Sequence, residues 1–420
     1  MYRNRNCKDL LVLLFLIMII PTIPVEGLYY LARPFYDLLY RLLILGILVF
    51  NVLFFFIRVA IRKRISIGKA TLAFILFAGV NIFLTIFFHG DFMGVFGVWV
   101  YTLTLLLVFE NYKKYATTLP HILLRYLEAL LIVNALLIIA FPHGMYRGDV
   151  TQYGQMWLLG YKSSLQCYVL PAVFLSLIES HYLKETKHFV IILILSHFES
   201  FMEKNAMLLV ILVLLDITLY MRLFEKDIVN RKNVFLGVLI VLFANIFIVF
   251  FTEKLFSISF VQYVLVDLLG KNSTLSLRTS NWKSVWGAIR QSPFIGYGYT
   301  SDLTRSILYG RETAHAHNMV LEMLYEGGLL QVVLFIFFNC IFFKELLKSR
   351  NTIVSRIIFV FLALFYVMYI FENPLQKTNG AIWLLFIIAF YSRQIDYALR
   401  GGWMSIFEIE RKPRRVMKFV

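Results

Sequence analysis

Long apolar blocks recur from one end of this sequence to the other, and they constrain its fold more than any other feature. Of the residues, 60% are hydrophobic and 16% are charged, whereas a soluble protein carries roughly a quarter charged residues. A helix needs about 20 apolar residues to cross the hydrocarbon core of a bilayer. The pattern therefore predicts an all-α fold, a polytopic bundle of transmembrane helices in a lipid bilayer.

Twelve blocks are predicted to span the membrane. They lie at about residues 9–25, 37–61, 70–88, 92–109, 119–141, 164–181, 188–200, 205–221, 234–251, 319–343, 354–371 and 381–397. Every second connection is basic, as in "RKRISIGK" and "RLFEKDIVNRK", whereas opposite connections such as "HGD" are poor in Lys and Arg. Because short cytoplasmic loops carry the excess of basic residues, both termini are expected in the cytoplasm, and the first helix is expected to stay uncleaved.

The blocks divide the chain into four regions. These are a bundle of nine spans at 1–251, a large extracytoplasmic loop at 252–318, three further spans at 319–397 and a basic cytoplasmic tail at 398–420. The formal charge of +16 is attributed to these topology signals and not to nucleic-acid binding, because Lys and Arg sit mainly in short loops. The three cysteines are far apart and indicate no disulfide framework.

The large loop carries two predicted short helices separated by glycines. In "RTSNWKSVWGAIRQSP" Trp282 and Trp286 belong to one apolar face, with Arg278 at the expected helix start. Such a face suits either a helix lying in the membrane interface or a helix packed on the bundle. Gly296 and Gly298 then permit sharp turns or close backbone approach, and a second helix is expected in "DLTRSILYGRE".

The stretch "TAHAHNMVLEMLYEGG" places ionisable groups directly before and inside an apolar block. A metal site, a catalytic base, a proton path and a decorated helix end are all compatible with it. Two histidines lack a third and a fourth ligand, so no metal is predicted, and His315 is expected to be a solvated loop residue. Intramembrane carboxylates are costly, so Glu322 and Glu326 are expected to pair with a nearby Arg or Lys, or to act in catalysis.

The succession of Arg278, the two tryptophans, "SPFIGYGY" and "AHNMVLEMLYEGGLL" resembles the O-antigen ligase and Wzy polymerase superfamily of membrane glycosyltransferases. The resemblance implies transfer of a glycan from a polyprenyl diphosphate carrier to an acceptor hydroxyl on the outer membrane face, without a cofactor. It makes His317 the catalytic base, followed by Asn318, and Arg278 a ligand of the diphosphate.

Further basic residues are candidates for the diphosphate. Where relatives often have a Ser-Arg element, this chain has "FESFMEKNAMLL" with Lys204, a point charge without the bidentate fork of arginine. Arg290, Arg305 and Arg311 lie in the large loop and could neutralise the leaving group as well. Glu322 and Arg305 are expected to support the site.

The leading prediction is a polymerase that assembles undecaprenyl-diphosphate-linked repeat units into a growing capsular, exopolysaccharide or O-antigen polysaccharide at the cell membrane. A chain-length regulator and a flippase are its expected protein partners. The alternative is a ligase that moves a finished glycan to another acceptor. A transporter is disfavoured, since it would predict two related halves around a midplane site.

Overall fold

The computed structural model describes residues 2–32, 35–63, 67–115, 118–146, 155–256, 272–309, 315–349, 352–393 and 395–396. In these ranges β structure is limited to two isolated bridges, Tyr146 with Met156 and Trp157 with Gly160. The all-α prediction is therefore confirmed. The predicted basic tail at 398–420 and Arg311 lie outside the described residues.

Helical residues occupy each of the twelve predicted blocks. The helices are α1 (Tyr2–Ile19), α2 (Glu26–Ala32), α3 (Phe35–Arg62), α4 (Lys69–Phe87), α5 (Phe92–Asn111), α6 (Thr118–Ala140), α7 (Gln166–Leu183), α8 (Lys187–Met202), α9 (Ala206–Tyr220), α10 (Arg231–Phe256), α11 (Asn272–Ile289), α12 (Asp302–Tyr309), α13 (Met319–Lys348), α14 (Ile353–Met368) and α15 (Leu384–Phe390). In the described ranges six helices, α3 to α6, α10 and α13, are long and apolar enough to cross a membrane. Shorter apolar helices accompany them, and the count of twelve crossings stays a prediction.

Polar contacts join helices or their connections at both ends of the bundle. At one end the amide of Asp91 donates to the carbonyl of Tyr299 over 2.8 Å. At the other end Arg125 of α6 pairs with Glu128 of the same helix at 2.6 Å and also with Glu179 of α7. We call the first the loop end, because it carries residues 272–309 and 315–318. Its orientation toward the outside of the cell stays a prediction.

Helix α11 packs on the bundle. Trp282, Val285 and Ile289 are buried, and the ring of Trp286 meets Phe250 of α10 edge-on at a centroid distance of 5.4 Å. Of the two arrangements that the sequence left open for this apolar face, the structure shows the packed one.

Helix α13 is broken at Gly328, where residues 293–298, which we call the glycine wedge, cross it. Gly328 has φ 60°, and a Cβ atom there would lie 2.3 Å from the carbonyl carbon of Phe294. Past the break, the amides of Leu329 and Leu330 donate to the carbonyls of Pro293 and Phe294 at 2.8 and 3.0 Å. The wedge thus accepts hydrogen bonds from amides that the interrupted helix no longer pairs internally.

The two glycines of the wedge are required by this close approach. Gly296 has φ 63°, and a Cβ atom on it would lie 2.4 Å from the carbonyl oxygen of Tyr325. Gly298 has φ 71°, donates to the carbonyl of Glu326 at 2.7 Å and lies against the backbone of Thr85 in α4. Both expectations from the sequence, a sharp turn and close backbone contact, are confirmed.

Candidate active site

Helix α11 holds the residues before α13 by their carbonyl groups. We call residues 315–318 the histidine segment. Asn281 donates its side-chain amide to the carbonyl of His315, and Trp282 donates its indole N–H to the carbonyl of Ala316, each over 2.9 Å. The indole that gives α11 its apolar face therefore also fixes the backbone directly before His317.

Asn318 ends the histidine segment as the N-cap of α13. Its side-chain oxygen accepts from the amide of Leu321 at 2.9 Å, which satisfies a free donor of the first helical turn. Its side-chain nitrogen donates to the carbonyl of Ile370 at 2.9 Å and to the side chain of Asn245 at 2.8 Å. These bonds place His317 beside the connection that follows α14.

His317 is partly buried and has a left-handed backbone with φ 52°. This conformation is uncommon for a residue other than glycine and is often found at functional sites. Its Nδ1 atom is buried without a hydrogen-bond partner. Burial lowers the pKa of His317 to about 4, because the negative charge of Glu372 only partly offsets burial and the positive charges of Arg278 and Lys377. The imidazole is therefore neutral at ordinary pH.

His315 differs from its expected state. It was expected to be solvated, but its side chain is only partly exposed, and its ring centroid lies 4.0 Å from that of His317. Burial, followed by the neighbouring His317, lowers its pKa well below the usual range. The reason is that Asn281 and Trp282 of α11 hold the histidine segment against the bundle by hydrogen bonds. Within the described part of the chain, no three His, Cys, Asp or Glu side chains form a group that could hold a metal ion.

Arg278 faces the histidine segment from α11. The expected helix start at Arg278 is wrong, because α11 begins at Asn272 and Arg278 lies in its second turn. A guanidinium nitrogen of Arg278 lies 3.4 Å from a carboxylate oxygen of Glu372, and both side chains retain some exposure, 23% and 12%. The pair links α11 to the connection after α14, and the charges of both residues act on His317.

Sequence reasoning missed two residues of this cluster, Glu372 and Lys377. Both belong to "ENPLQKTNG", where nothing indicates chemistry except a carboxylate and an amine in a connection otherwise poor in charge. The ammonium group of Lys377 donates to the hydroxyl of Ser163 at 3.1 Å. Its charge acts on both histidines. The structure thus supplies a second cation whose charge acts on the candidate base.

Arg305 lies in a buried ion-pair network beneath the histidine segment. Its guanidinium contacts Glu322 and lies 3.0 Å from a carboxylate oxygen of Glu326, with no solvent exposure on any of the three side chains. It also donates to the carbonyl of Thr300 at 3.1 Å. Of the two expectations for the glutamates, the structure shows the ion pair.

This network also positions the histidine segment. The second carboxylate oxygen of Glu322 accepts from the amide of Ala316 at 2.7 Å, and Asn81 of α4 donates to Glu326 at 2.9 Å. Because its guanidinium is buried and shared between two carboxylates, Arg305 would have to abandon both to reach a phosphate.

Lys204 and Arg290 are exposed at other positions. Lys204 lies in the turn between α8 and α9 with φ 54°, and the neighbouring Asn205 donates to the carbonyl of Lys162 at 2.5 Å. Arg290 directly follows α11. Neither is among the described residues whose charges act on His317. The structure therefore brings Arg278 to His317, and leaves Lys204 and Arg290 as separate exposed cations.

An apolar bundle of many helices defines a multi-pass membrane protein. Residues 190–338 match the family model described as O-antigen ligase. This segment runs from α8 into α13 and contains the four predicted catalytic and diphosphate-binding residues Lys204, Arg278, Arg290 and His317. The match confirms the resemblance to the O-antigen ligase and Wzy polymerase superfamily.

One curated relative supports the same assignment. The chain is 26% identical over 200 residues to the ComP-specific O-oligosaccharyltransferase of Acinetobacter baylyi. The aligned region covers 46% of this chain and 35% of the relative, so the chain spans about a third of that relative's length. No solved structure matches the chain.

Proposed function

We propose that this protein is a membrane glycosyltransferase of the O-antigen ligase type. It moves a glycan from a polyprenyl diphosphate carrier, with undecaprenyl diphosphate as the expected carrier, to a hydroxyl group of another molecule. One observation carries the proposal: the neutral His317, with an unpartnered buried Nδ1, lies beside the cations Arg278 and Lys377 at the loop end of the bundle. That end faces the outside of the cytoplasmic membrane in this proposal.

The reaction requires a base and a site for negative charge. The acceptor oxygen attacks the anomeric carbon of the donor sugar, and the bond between that carbon and the diphosphate oxygen breaks. The electron pair of this bond leaves with the diphosphate, whose charge Arg278 and Lys377 stabilise. His317 takes the proton of the acceptor hydroxyl through Nε2 and later releases it to solvent.

The other predicted site residues do not take part in the chemical step in this proposal. Lys204 and Arg290 are exposed at positions where they attract the anionic carrier as it approaches. Glu322 and Asn318 act as positioning residues, since they bind the backbone on either side of His317. Arg305 keeps Glu322 and Glu326 in place.

A ligase-type transfer is preferred to the repeat-unit polymerase that the sequence had favoured. The matched family is described as O-antigen ligase, and the relative is named an oligosaccharyltransferase specific for ComP. Neither description specifies repeat-unit polymerisation. A polymerase would use the same donor and the same base, so it becomes an alternative outcome of the test below.

The test is deletion of the gene followed by analysis of lipid-linked, protein-linked and surface glycans. Loss of glycan from an acceptor together with accumulation of the complete lipid-linked glycan supports the ligase. Accumulation of single lipid-linked repeats indicates the polymerase instead. Unchanged glycans in all three fractions would contradict both activities.

Complementation of the deletion strain with variants then tests the assignment of His317 as the base. His317→Ala is expected to abolish transfer while the protein still inserts into the membrane. His89→Ala is the matched control, since His89 is exposed at the loop end and has a similar left-handed backbone with φ 54°. Normal transfer by His317→Ala would contradict the assignment of the base.

A further inference from the structure

The contact between Arg278 and Glu372 is loose. A strong arginine–carboxylate pair makes two parallel hydrogen bonds of about 2.7–2.9 Å. Here a single pair of atoms approaches to 3.4 Å, and both side chains keep some exposure to solvent. An incoming diphosphate can therefore compete for the guanidinium, because it offers several charged oxygens to the same planar fork.

Hydrogen bonds independent of charge bring the connection that carries Glu372 next to the histidine segment. The amide of Met319 donates to the carbonyl of Tyr369 at 3.0 Å, and the side chain of Asn318 donates to the carbonyl of Ile370 at 2.9 Å. These two bonds hold the histidine segment against the start of the connection after α14. Glu372 follows two residues after Ile370, and its carboxylate is the largest negative influence on His317.

We propose that Glu372 is the positioning residue of His317, held by Arg278 in the unliganded protein and transferred to the buried Nδ1 of His317 when the donor diphosphate takes Arg278. The inference rests on the proposed function, because the diphosphate is the trigger. A carboxylate on Nδ1–H selects the tautomer in which Nε2 is free to accept a proton. The base is thus completed only when the donor is bound.

The exchange has an electrostatic consequence that can be measured. In the unliganded protein the pKa of His317 is about 4, too low for an efficient base at neutral pH. Moving Glu372 onto the ring and Arg278 away from it raises this pKa. The other charged or titratable groups that face the ring are His315, at a centroid distance of 4.0 Å, and Lys377. Donor binding should therefore be accompanied by proton uptake at mildly acidic pH.

The experiment is calorimetric titration of the purified full chain with farnesyl diphosphate as the probe. Titrations at about pH 5.5, between the pKa of His317 and that of free histidine, are repeated in buffers of different ionisation enthalpy. The wild type is expected to take up as much as about one proton more per site than Glu372→Gln. His317→Ala is expected to lack this additional uptake. The uptake measured with it therefore gives the protons bound by the diphosphate itself. Asp302→Asn, which removes an exposed carboxylate at the loop end, should behave as the wild type.

Affinity separates this inference from a simpler role in which Glu372 only orients Arg278. If Glu372 competes with the diphosphate, Glu372→Gln binds the probe at least as tightly as the wild type. If Glu372 orients Arg278, the same variant binds more weakly, and the inference is overturned. Equal proton uptake in the wild type and Glu372→Gln overturns it as well.

Turnover distinguishes failure of this inference from failure of the proposed function. Glu372→Gln is expected to lower kcat by about 10²-fold, the lower end of a general-base contribution, and to move the acidic limb of the pH–rate profile to lower pH. If His317→Ala abolishes transfer and Glu372→Gln leaves the profile unchanged, the inference fails and the function stands. If the wild type binds no farnesyl diphosphate and transfers no glycan, both fail.

Discussion

The guanidinium of Arg305 and the carboxylate of Glu322 form an ion pair in which neither side chain has any solvent exposure. The same carboxylate holds the amide of Ala316, one residue before His317. A buried charge pair is thereby connected directly to the backbone of the proposed base. If His317 is the base, stability and catalysis are expected to be coupled at this point of the chain.

Arg305→Ala should destabilise the protein strongly. Removing the guanidinium leaves Glu322 and Glu326 buried without their cation, a change that costs about 3–5 kcal/mol for a buried pair. Thermal unfolding in detergent micelles measures the loss. Arg290→Ala is the control, because Arg290 is exposed, and similar unfolding midpoints for the two variants would contradict the buried network.

The stability of the folded protein should decrease as the pH is lowered and His317 becomes protonated. The pKa of His317 is about 4 in the folded protein against an ordinary value of 6.5, so the unfolded chain binds more protons between these values. The contribution is fully present above about pH 6.5 and is lost as pH falls toward 4, on the order of 1–3 kcal/mol. His317→Asn tolerates the positive φ and should flatten the unfolding midpoint over this range. A slope equal to that of the wild type would refute the prediction.

At position 204, charge should matter more than the identity of the side chain. Lys204→Arg is expected to retain more transfer activity than Lys204→Ala, because Lys204 is proposed to attract an anionic carrier. All three residues have a Cβ atom, so the strain of φ 54° is common to them. Initial rates at low and high salt provide the measurement. Equal rates for the two variants would remove Lys204 from the proposed site.

Gly328→Ala should disturb both the bundle and the wedge. The new Cβ atom would meet the backbone of Phe294 at 2.3 Å, at φ 60° and ψ −159°, a combination that essentially only glycine adopts, with a cost of about 1–3 kcal/mol or more. Gly237→Ala in α10 is the matched control, because no atom lies within 4 Å of the position that its Cβ would take. The readouts are the unfolding temperature and transfer activity, and equal effects of the two substitutions would contradict the described contact.

The helices could be predicted because apolar length is a local property of the chain. The start of α11 could not, since "NSTLSL" has the composition of a turn and yet continues the helix on which Arg278 lies. The motif around His317 was visible in the sequence as well, because its spacing and its place before an apolar block are local features.

The partners of these motif residues were not visible. Arg278 and Glu372 are separated by 94 positions, and no periodicity links residues so far apart. That Glu322 and Glu326 would pair with a cation could be predicted, because burying an unpaired charge is costly. Their connection to Arg305, 17 and 21 positions away, depended on how the wedge folds back onto α13.

The broken helix α13 has a consequence for exchanging parts between relatives. The large loop looks like an insert that could be replaced as a cassette, yet its carbonyls at 293 and 294 accept from amides at 329 and 330. A chimaera that takes the loop from one parent and the following helix from another separates two halves of one hydrogen-bonded joint. The smallest unit that can be transplanted intact therefore runs from the wedge past Gly328, so the loop has to move together with the helix that it interrupts.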